Sequence, residues 1–230
     1  MNNLIIIGTS TTAKTAYRFV KKYNLYNVIG FAVHENLKDI DSFCDLPVYS
    51  IESLEKTIDK EKTYLFVAIL WNNLNAVRKK LYEELKSKGY RLANLISPTA
   101  IINGEIKGDN CWVRDLAIVD FGTAVEENVF IKAGAWVGPN CLIKKHTFIG
   151  AKSTMGGASI LGEQSFIGIN ALLFDEVKIG KKCIIGAGSI VKRSLPNYTL
   201  CKAQVDNMIV RQYTEFEIEE KLIASKNVRN

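Results

Sequence analysis

The first ninety residues alternate between short apolar runs and stretches with helical spacing. The apolar runs at residues 4–7, 28–33 and 64–70 are typical of buried strands. Between and after these runs, apolar residues recur at intervals of three and four, as on one face of a helix: Ala13, Ala16, Tyr17 and Val20, then Ile51, Leu54 and Ile58, and finally Leu74, Val77, Leu81 and Leu85. Strands that alternate with helices predict a small parallel sheet of the Rossmann-like α/β class.

From residue 113 onward the chain follows a strict six-residue period. Every sixth residue is aliphatic or methionine, and most residues four positions later are small or modest in size, which includes Cys141 and Cys183. The period continues without an insertion through fourteen positions: Val113, Val119, Val125, Ile131, Val137, Ile143, Ile149, Met155, Leu161, Ile167, Leu173, Ile179, Ile185 and Val191. Repeats of this kind are the signature of a solenoid.

A six-residue period predicts an all-β left-handed parallel β-helix. Each hexapeptide forms one flat face and one corner of a three-sided prism, so three hexapeptides close a coil and residues 18 apart stack. The apolar residue fills the interior, and each coil buries its apolar side against its neighbours. The run from residue 113 predicts four to five coils, and it gives the interior cysteines a packing role.

These patterns divide the chain into three parts. We expect an N-terminal α/β domain over residues 1–95 and the β-helix over residues 96–200. Residues 201–230 form a C-terminal extension in which Ile218, Leu222 and Ile223 predict a short helix.

Composition and charge exclude several classes of protein. Of the 230 residues, 47% are hydrophobic and 23% are charged, which is typical of a globular chain and not of a disordered one. The net charge of +6 is mild and its basic residues are interspersed with acids, so no nucleic-acid partner is predicted. The sequence contains no apolar stretch of membrane-spanning length and no signal-peptide pattern, so we expect a cytoplasmic protein with reduced cysteines.

The turn after the first predicted strand is a candidate binding element. Gly8, Thr9, Ser10 and Thr11 join this strand to the following helix, where backbone N–H groups can hold a phosphate. The turn has only one glycine and lacks the GxGxxG pattern, so a tight turn without a ligand is an equal alternative.

Six segments spread along nearly the whole chain carry a resemblance to one family: residues 5–8, 30–33, 97–100, 150–152, 166–170 and 184–189. With these segments the chain is similar to the bacterial sugar O-/N-acyltransferases of the hexapeptide-repeat superfamily, which acetylate sialic acid or nucleotide-linked 4-amino sugars.

This resemblance implies a homotrimer that uses acetyl-CoA or another acyl-CoA. The coenzyme is expected between adjacent β-helices, on the backbone near Gly157, Gly168 and Gly186, with Lys192 in a basic cluster near its phosphates. The other cluster members are Lys181, Lys182, Arg193 and Lys202, and a solvated basic face is the alternative. The nucleotide sugar is expected on the N-terminal domain.

The chain departs from the family at the catalytic histidine. Pro139 and Asn140 occupy the position of the usual His and acid, and Phe148 that of a second histidine. The candidates that remain are His146, as a base at a corner of the β-helix, and Asn140, which could orient the substrate or polarise the thioester; a surface histidine without a role and a left-handed corner residue are the alternatives.

The missing base favours an amine as the acceptor. A neutral amine attacks a thioester directly, whereas an alcohol needs a base, so we expect N-acylation of an amino sugar. O-acetylation of a sugar and a catalytically inactive binding scaffold are the alternatives. No metal is predicted, because a zinc lyase of this fold needs three histidines per site and the chain has two.

Overall fold

The computed structural model describes residues 1–203. The helix predicted around Ile218 and Leu222 therefore lies outside the described residues. Within this range the chain forms an N-terminal sheet domain followed by a β-helix. No helix in this range is long and apolar enough to cross a membrane.

The N-terminal domain has the predicted alternation of strands and helices. Its elements are β1 (Asn3–Ile7), α1 (Thr11–Tyr23), β2 (Asn27–Val33), β3 (Ser42–Phe43), β4 (Leu46–Ser50), α2 (Leu54–Thr57), β5 (Thr63–Val67) and α3 (Ala76–Ser87). The sheet order is β3-β4-β2-β1-β5, and all pairs are parallel except the short β3–β4 pair. The predicted small parallel sheet is thus confirmed, with one antiparallel edge strand.

Burial on both faces explains why β1 is uniformly apolar. Leu4 and Ile6 pack on the side of α1, and Ile5 and Ile7 pack on the side of α3. Because helices cover both sides of the strand, a continuous apolar run forms here instead of an alternating one.

The second half is a left-handed parallel β-helix with three faces. The junction face contains β6 (Leu95–Ile96), β9 (Trp112–Val113), β12 (Phe130–Ile131), β15 (Phe148–Ile149), β18 (Phe166–Ile167), β21 (Ile184–Ile185) and β23 (Leu200–Cys201). The second face contains β7 (Ile101–Ile102), β10 (Ile118–Val119), β13 (Trp136–Val137), β16 (Thr154–Met155), β19 (Leu172–Leu173) and β22 (Ile190–Val191). The third face contains β8 (Glu105–Ile106), β11 (Ala124–Val125), β14 (Leu142–Ile143), β17 (Ile160–Leu161) and β20 (Lys178–Ile179).

Residues 18 apart stack as the six-residue period predicts. Trp136 pairs with Ile118 in the preceding coil and with Thr154 in the next one. The second residue of each strand from β9 to β22 points inward and is at most 3% exposed. Cys141 and Cys183 lie in this interior core as free thiols, which confirms their packing role.

A second six-residue period marks the corners. Positions 110 to 188 have positive φ at every sixth residue, and glycine occupies three of them, at 122, 134 and 188. Asn140 (φ 57°) and His146 (φ 61°) are two of the non-glycine corner residues. Asparagine is enriched there because its short polar side chain tolerates the left-handed backbone.

The β-helix extends further toward the N-terminus than the four to five coils predicted from residue 113. Leu95 pairs with Trp112, only 17 residues later, while every later pair on this face up to Phe166 and Ile184 is 18 apart. One residue is missing from the first coil, so the strict period cannot be followed back through it. The three faces have seven, six and five strands, and the stack therefore has about six coils.

An aromatic column joins the two domains. Trp112, Phe130 and Phe148 point outward from the junction face, yet each is at most 1% exposed. They pack into the same core as β1, α1 and Phe66 of β5, whose ring stacks on Phe130 with centroids 5.7 Å apart. The N-terminal domain therefore covers the coils of this face that contain Trp112, Phe130 and Phe148.

Candidate functional site

The turn from Gly8 to Thr11 lies at the carboxyl edge of the N-terminal sheet. Gly8 has φ 117° and donates its N–H to Ala32 O at 2.8 Å. Ser10 precedes α1 in an extended conformation, and its side chain makes no capping hydrogen bond to the helix. Thr11 and Ser10 are exposed, and Thr9 is partly exposed. The first N–H groups of α1 thus face solvent at an edge where open α/β sheets bind ligands.

Sequence reasoning missed a polar cluster at the same edge. His34 follows β2 and lies between two glutamates, with Nδ1 2.8 Å from Glu52 Oε1 and Nε2 3.4 Å from Glu84 Oε2. Glu52 also accepts hydrogen bonds from Ser50 and from the N–H of Glu35. The hydrogen bond from His34 is the main cause that lowers the pKa of Glu52 to about 2. The carboxylate therefore remains charged at neutral pH and fixes His34.

A cleft of about 360 Å³ opens on the junction face, at the edge of the part that the N-terminal domain covers. Trp71 forms one wall, with its ring 4.9 Å from Phe148 and 5.7 Å from Phe166. The other lining residues are Lys132, Gly150, Ala151, Gly168, Ile169 and Ala187. The cleft is thus mostly apolar, with one amine.

Coil stacking requires the two glycines of this cleft. A Cβ on Gly150 would lie 2.6 Å from the backbone of Gly168, and a Cβ on Gly168 would lie 2.5 Å from the amide nitrogen of Ala187. These positions lie 18 and 36 residues after Lys132, on the same face of the β-helix. No side chain therefore projects from this column in the two coils that follow Lys132, and the space left free forms the cleft.

Trp71 belongs to a segment with an unusual backbone. Asn73, Leu74 and Asn75 all have φ between 49° and 63°, a left-handed conformation that leucine rarely adopts. The β-helix holds this segment, because Gln164 donates to Leu74 O at 3.0 Å and Asn75 donates to Ser165 O at 3.3 Å. The helix predicted from Leu74 begins at Ala76 for this reason.

The residues that the resemblance assigns to coenzyme binding lie in two separate parts of the β-helix. Gly168 lines the cleft, and Gly186 lies one coil further along the same face. Gly157 lies at the corner between the second and third faces, where its N–H donates to Asp175 Oδ1 at 2.6 Å. Lys192 follows β22 on the second face, exposed, with its ammonium 5.8 Å from the Phe174 ring centroid. The structure does not bring these residues into one pocket of a single chain.

His146 is at the predicted corner, but it is neither a surface histidine nor accessible as a base. It is 1% exposed because α3 covers this corner, with the Tyr82 ring 5.5 Å from the imidazole. Its Nδ1 lies 2.9 Å from Asn128 Nδ2, and Nε2 lies 3.8 Å from Glu83 Oε1. Burial is the main cause that lowers the pKa of His146 to about 3. The imidazole is therefore neutral and closed off from a substrate.

Asn140 is exposed at a different corner. Its N–H donates to Phe121 O at 2.8 Å in the preceding coil. With φ 57° it has the left-handed backbone that the sequence offered as the alternative to a catalytic role.

A family model described as the hexapeptide repeat of succinyl-transferase matches residues 158–193. No curated protein matches the chain.

Several solved structures share the fold over most of the chain. One is a perosamine N-acetyltransferase from Caulobacter crescentus, a variant with one histidine replaced by asparagine, solved with CoA and GDP-perosamine. It is 24% identical to this chain with a TM-score of 0.79, and the match covers 92% of this chain and 98% of that one. The acetyltransferase domain of PglB from Neisseria gonorrhoeae is 22% identical with a TM-score of 0.78, covering 91% and 100%. WeeI from Acinetobacter baumannii is 17% identical with a TM-score of 0.66, covering 86% and 94%. The chain therefore carries hexapeptide repeats and has the two-domain fold of these acetyltransferases.

Proposed function

We propose that the protein is an acyl-CoA-dependent N-acyltransferase, with acetyl-CoA as donor and the amino group of a nucleotide-linked amino sugar as acceptor. The supporting observation is the match of both domains, in one chain, to an enzyme solved with CoA and GDP-perosamine. We place this reaction in the biosynthesis of bacterial surface glycans.

The nucleotide sugar binds at the carboxyl edge of the N-terminal sheet in this proposal. The uncapped N-terminus of α1 offers N–H groups and the positive end of the helix dipole to a diphosphate. The first turn of α1 contains no acidic residue that would repel the diphosphate. Gly8, Thr9, Ser10 and Thr11 form this site.

The acyl-CoA lies between neighbouring β-helices of a homotrimer. The second face offers an apolar contact surface for a second copy of the chain, formed by Ile101, Ile118, Trp136, Leu172 and Ile190. Of these, Ile101 and Ile190 are more than half exposed in the single chain. Large apolar faces of this kind are typical of subunit interfaces. Gly157, Gly168, Gly186 and Lys192 then come from the walls of the groove between copies.

An amine acceptor fits the histidines that the chain contains. The chain has two, and His146 is buried while His34 is held between Glu52 and Glu84 in the N-terminal domain. The β-helix thus has no accessible imidazole to deprotonate a sugar hydroxyl, whose pKa is high. A neutral amine reacts with a thioester when the two are held together, since positioning alone supplies effective molarities of about 10⁵ M or more.

A screen of nucleotide amino sugars tests the proposal. Purified protein is incubated with acetyl-CoA and UDP-, dTDP- or GDP-linked amino sugars, and free thiol is measured. The matched control is the same nucleotide sugar with a hydroxyl group in place of the amino group. Thiol release with the amino sugar alone supports N-acylation, and release with the hydroxy sugar alone indicates O-acetylation. No release, together with a melting temperature that acetyl-CoA leaves unchanged, indicates the inactive scaffold.

A charge variant tests the nucleotide site. Thr11→Glu puts a carboxylate beside the first turn of α1, which favours the helix dipole but repels a diphosphate. We expect KM for the nucleotide sugar to rise about tenfold with no loss of melting temperature. Thr57→Glu, at an exposed position of α2, is the control and should leave KM unchanged. Equal KM values for both variants would contradict the placement of the nucleotide at this turn.

A further inference from the structure

The cleft beside Trp71 contains one ionisable side chain. Lys132 follows β12 on the junction face, and its ammonium lies 5.1 Å from the Trp112 ring centroid and 6.0 Å from the Phe148 ring centroid. The other lining residues are glycine, alanine, isoleucine and aromatic residues. The amine is therefore half-buried in a mostly apolar wall that remains open to a small molecule.

Partial burial and two neighbouring cations disfavour the charged form of Lys132. The charged groups that act on Lys132 are Arg114, one coil below on the same face, and Arg78 from α3, and both are cationic. Burial is the main cause, and these two charges the lesser one, that lower the pKa of Lys132 to about 8. More of the amine is then neutral near pH 7.5 than for a lysine exposed to water. A lysine in this state takes up a proton readily near neutral pH.

We propose that Lys132 is the base of the acyl transfer, in a chain whose β-helix has no accessible histidine. This inference rests on the proposed function and adds a catalytic residue to it. The acceptor nitrogen attacks the thioester carbonyl carbon, so that a C–N bond forms and the C–S bond breaks. The nitrogen needs no base to begin this attack, but it is positively charged and acidic once the C–N bond has formed, and its proton then passes to Lys132 Nζ. Lys132 then gives the proton to the CoA thiolate, which restores the neutral amine.

Lys132 acts as a base and does not carry the acyl group. An acyl group on Nζ would form an amide, whose C–N bond has partial double-bond character and is far less reactive than a thioester. Transfer from such an amide to the sugar would therefore be slower than direct attack on acetyl-CoA.

Competitive labelling measures the basicity of Lys132 without any substrate. Trace acetic anhydride is added to the full-length protein across pH 6 to 11, and acetylation of Lys132 is quantified by mass spectrometry. Lys152, exposed at a corner one coil beyond Gly134, serves as the reference for reagent reactivity. We expect Lys132 to be half-maximally reactive near pH 8. A midpoint at pH 10 or above would overturn the inference.

Kinetics test its catalytic role. Lys132→Arg keeps a charge but cannot accept a proton, and Lys132→Met keeps the packing on Trp112 and Phe148. We expect both to lower kcat about 100-fold or more, with KM for acetyl-CoA within threefold. The wild-type rate should rise with pH through about 8 more steeply than the rate of Lys132→Met, which still depends on the neutral form of the acceptor amine. Added methylamine should restore part of the activity of Lys132→Ala, which a purely structural role would not allow.

The outcomes separate the two proposals. A wild-type protein without turnover on any amino sugar contradicts the proposed function, and the base role falls with it. A wild-type protein that turns over while Lys132→Met keeps kcat within threefold contradicts the base role alone.

Discussion

Arg78 is the side chain whose removal should most weaken the contact between the two domains. It lies on α3 and is fully buried, with its guanidinium 4.1 Å from the Phe130 ring centroid. Burial lowers its pKa to about 9, so the guanidinium is still charged at pH 7. It donates hydrogen bonds to Thr147 O at 2.9 Å and to Asn128 Oδ1 at 3.1 Å, both on the β-helix. Replacement by methionine, which keeps much of the volume, isolates these polar contacts.

The magnitude follows from the two short hydrogen bonds. A hydrogen bond from a charged donor contributes about 1.5–3 kcal/mol, so the pair contributes about 3–6 kcal/mol. Removing a buried cation recovers part of this, because its desolvation no longer opposes folding. The acceptors on Thr147 and Asn128 stay buried and lose this donor. We therefore expect Arg78→Met to lower the free energy of unfolding by about 3 kcal/mol.

Urea unfolding followed by tryptophan fluorescence measures this effect. Trp112 is 1% exposed in the domain contact, so its emission reports exposure of that contact. Arg18→Met, at an exposed position of α1, is the matched control and should stay within about 0.5 kcal/mol of the wild type. If Arg78→Met unfolds at the same urea concentration as Arg18→Met, the reasoning about this contact is refuted.

Two further predictions concern assembly and acid stability. Trp136→Glu, on the second face, should convert a trimer into a monomer in light scattering; Lys178→Glu on the third face should not, and a trimeric Trp136→Glu protein would exclude this face as the interface. The lowered pKa of His146, about 3 in the folded chain against 6.5, means that its stabilising effect is complete above pH 6.5 and is lost as pH falls toward 3. Between pH 7 and 4.5 the wild type should therefore lose roughly 3 kcal/mol more than His146→Asn in urea unfolding, and equal losses would contradict the burial of a neutral imidazole.

Most of the fold could be predicted because its signals are local and periodic. The interior of the β-helix repeats every six residues, so Val113 through Val191 identify it without tertiary information. The first coil escaped because it has 17 residues, which shifts the phase before Val113. A second signal was available in the corner positions, where Asn128, Asn140 and Asn170 recur at multiples of six.

The contact between the domains left a weaker trace in the sequence. Trp112, Phe130, Phe148 and Phe166 lie 18 residues apart and point outward, and an outward column of aromatic residues indicates a covered face. Which corner α3 covers depends on the docking of the two domains, and no local pattern encodes it. The sequence therefore placed His146 at a corner correctly, but could not show that this corner is buried. For the same reason, the sequence does not show that Lys132 and Trp71 line one cleft.

The domain contact and the cleft depend on the same guanidinium. Besides its bonds to the β-helix, Arg78 donates to Ile69 O at 3.4 Å and to Leu70 O at 3.3 Å, the two residues before Trp71. Arg78 therefore joins the two domains and also holds the backbone that precedes Trp71, the wall of the cleft. Any weakening of this contact should move Trp71 away from Phe148 and expose Lys132 to water. Because burial is the main cause of the lowered pKa of Lys132, Arg78→Met should raise that pKa as well as destabilise the fold.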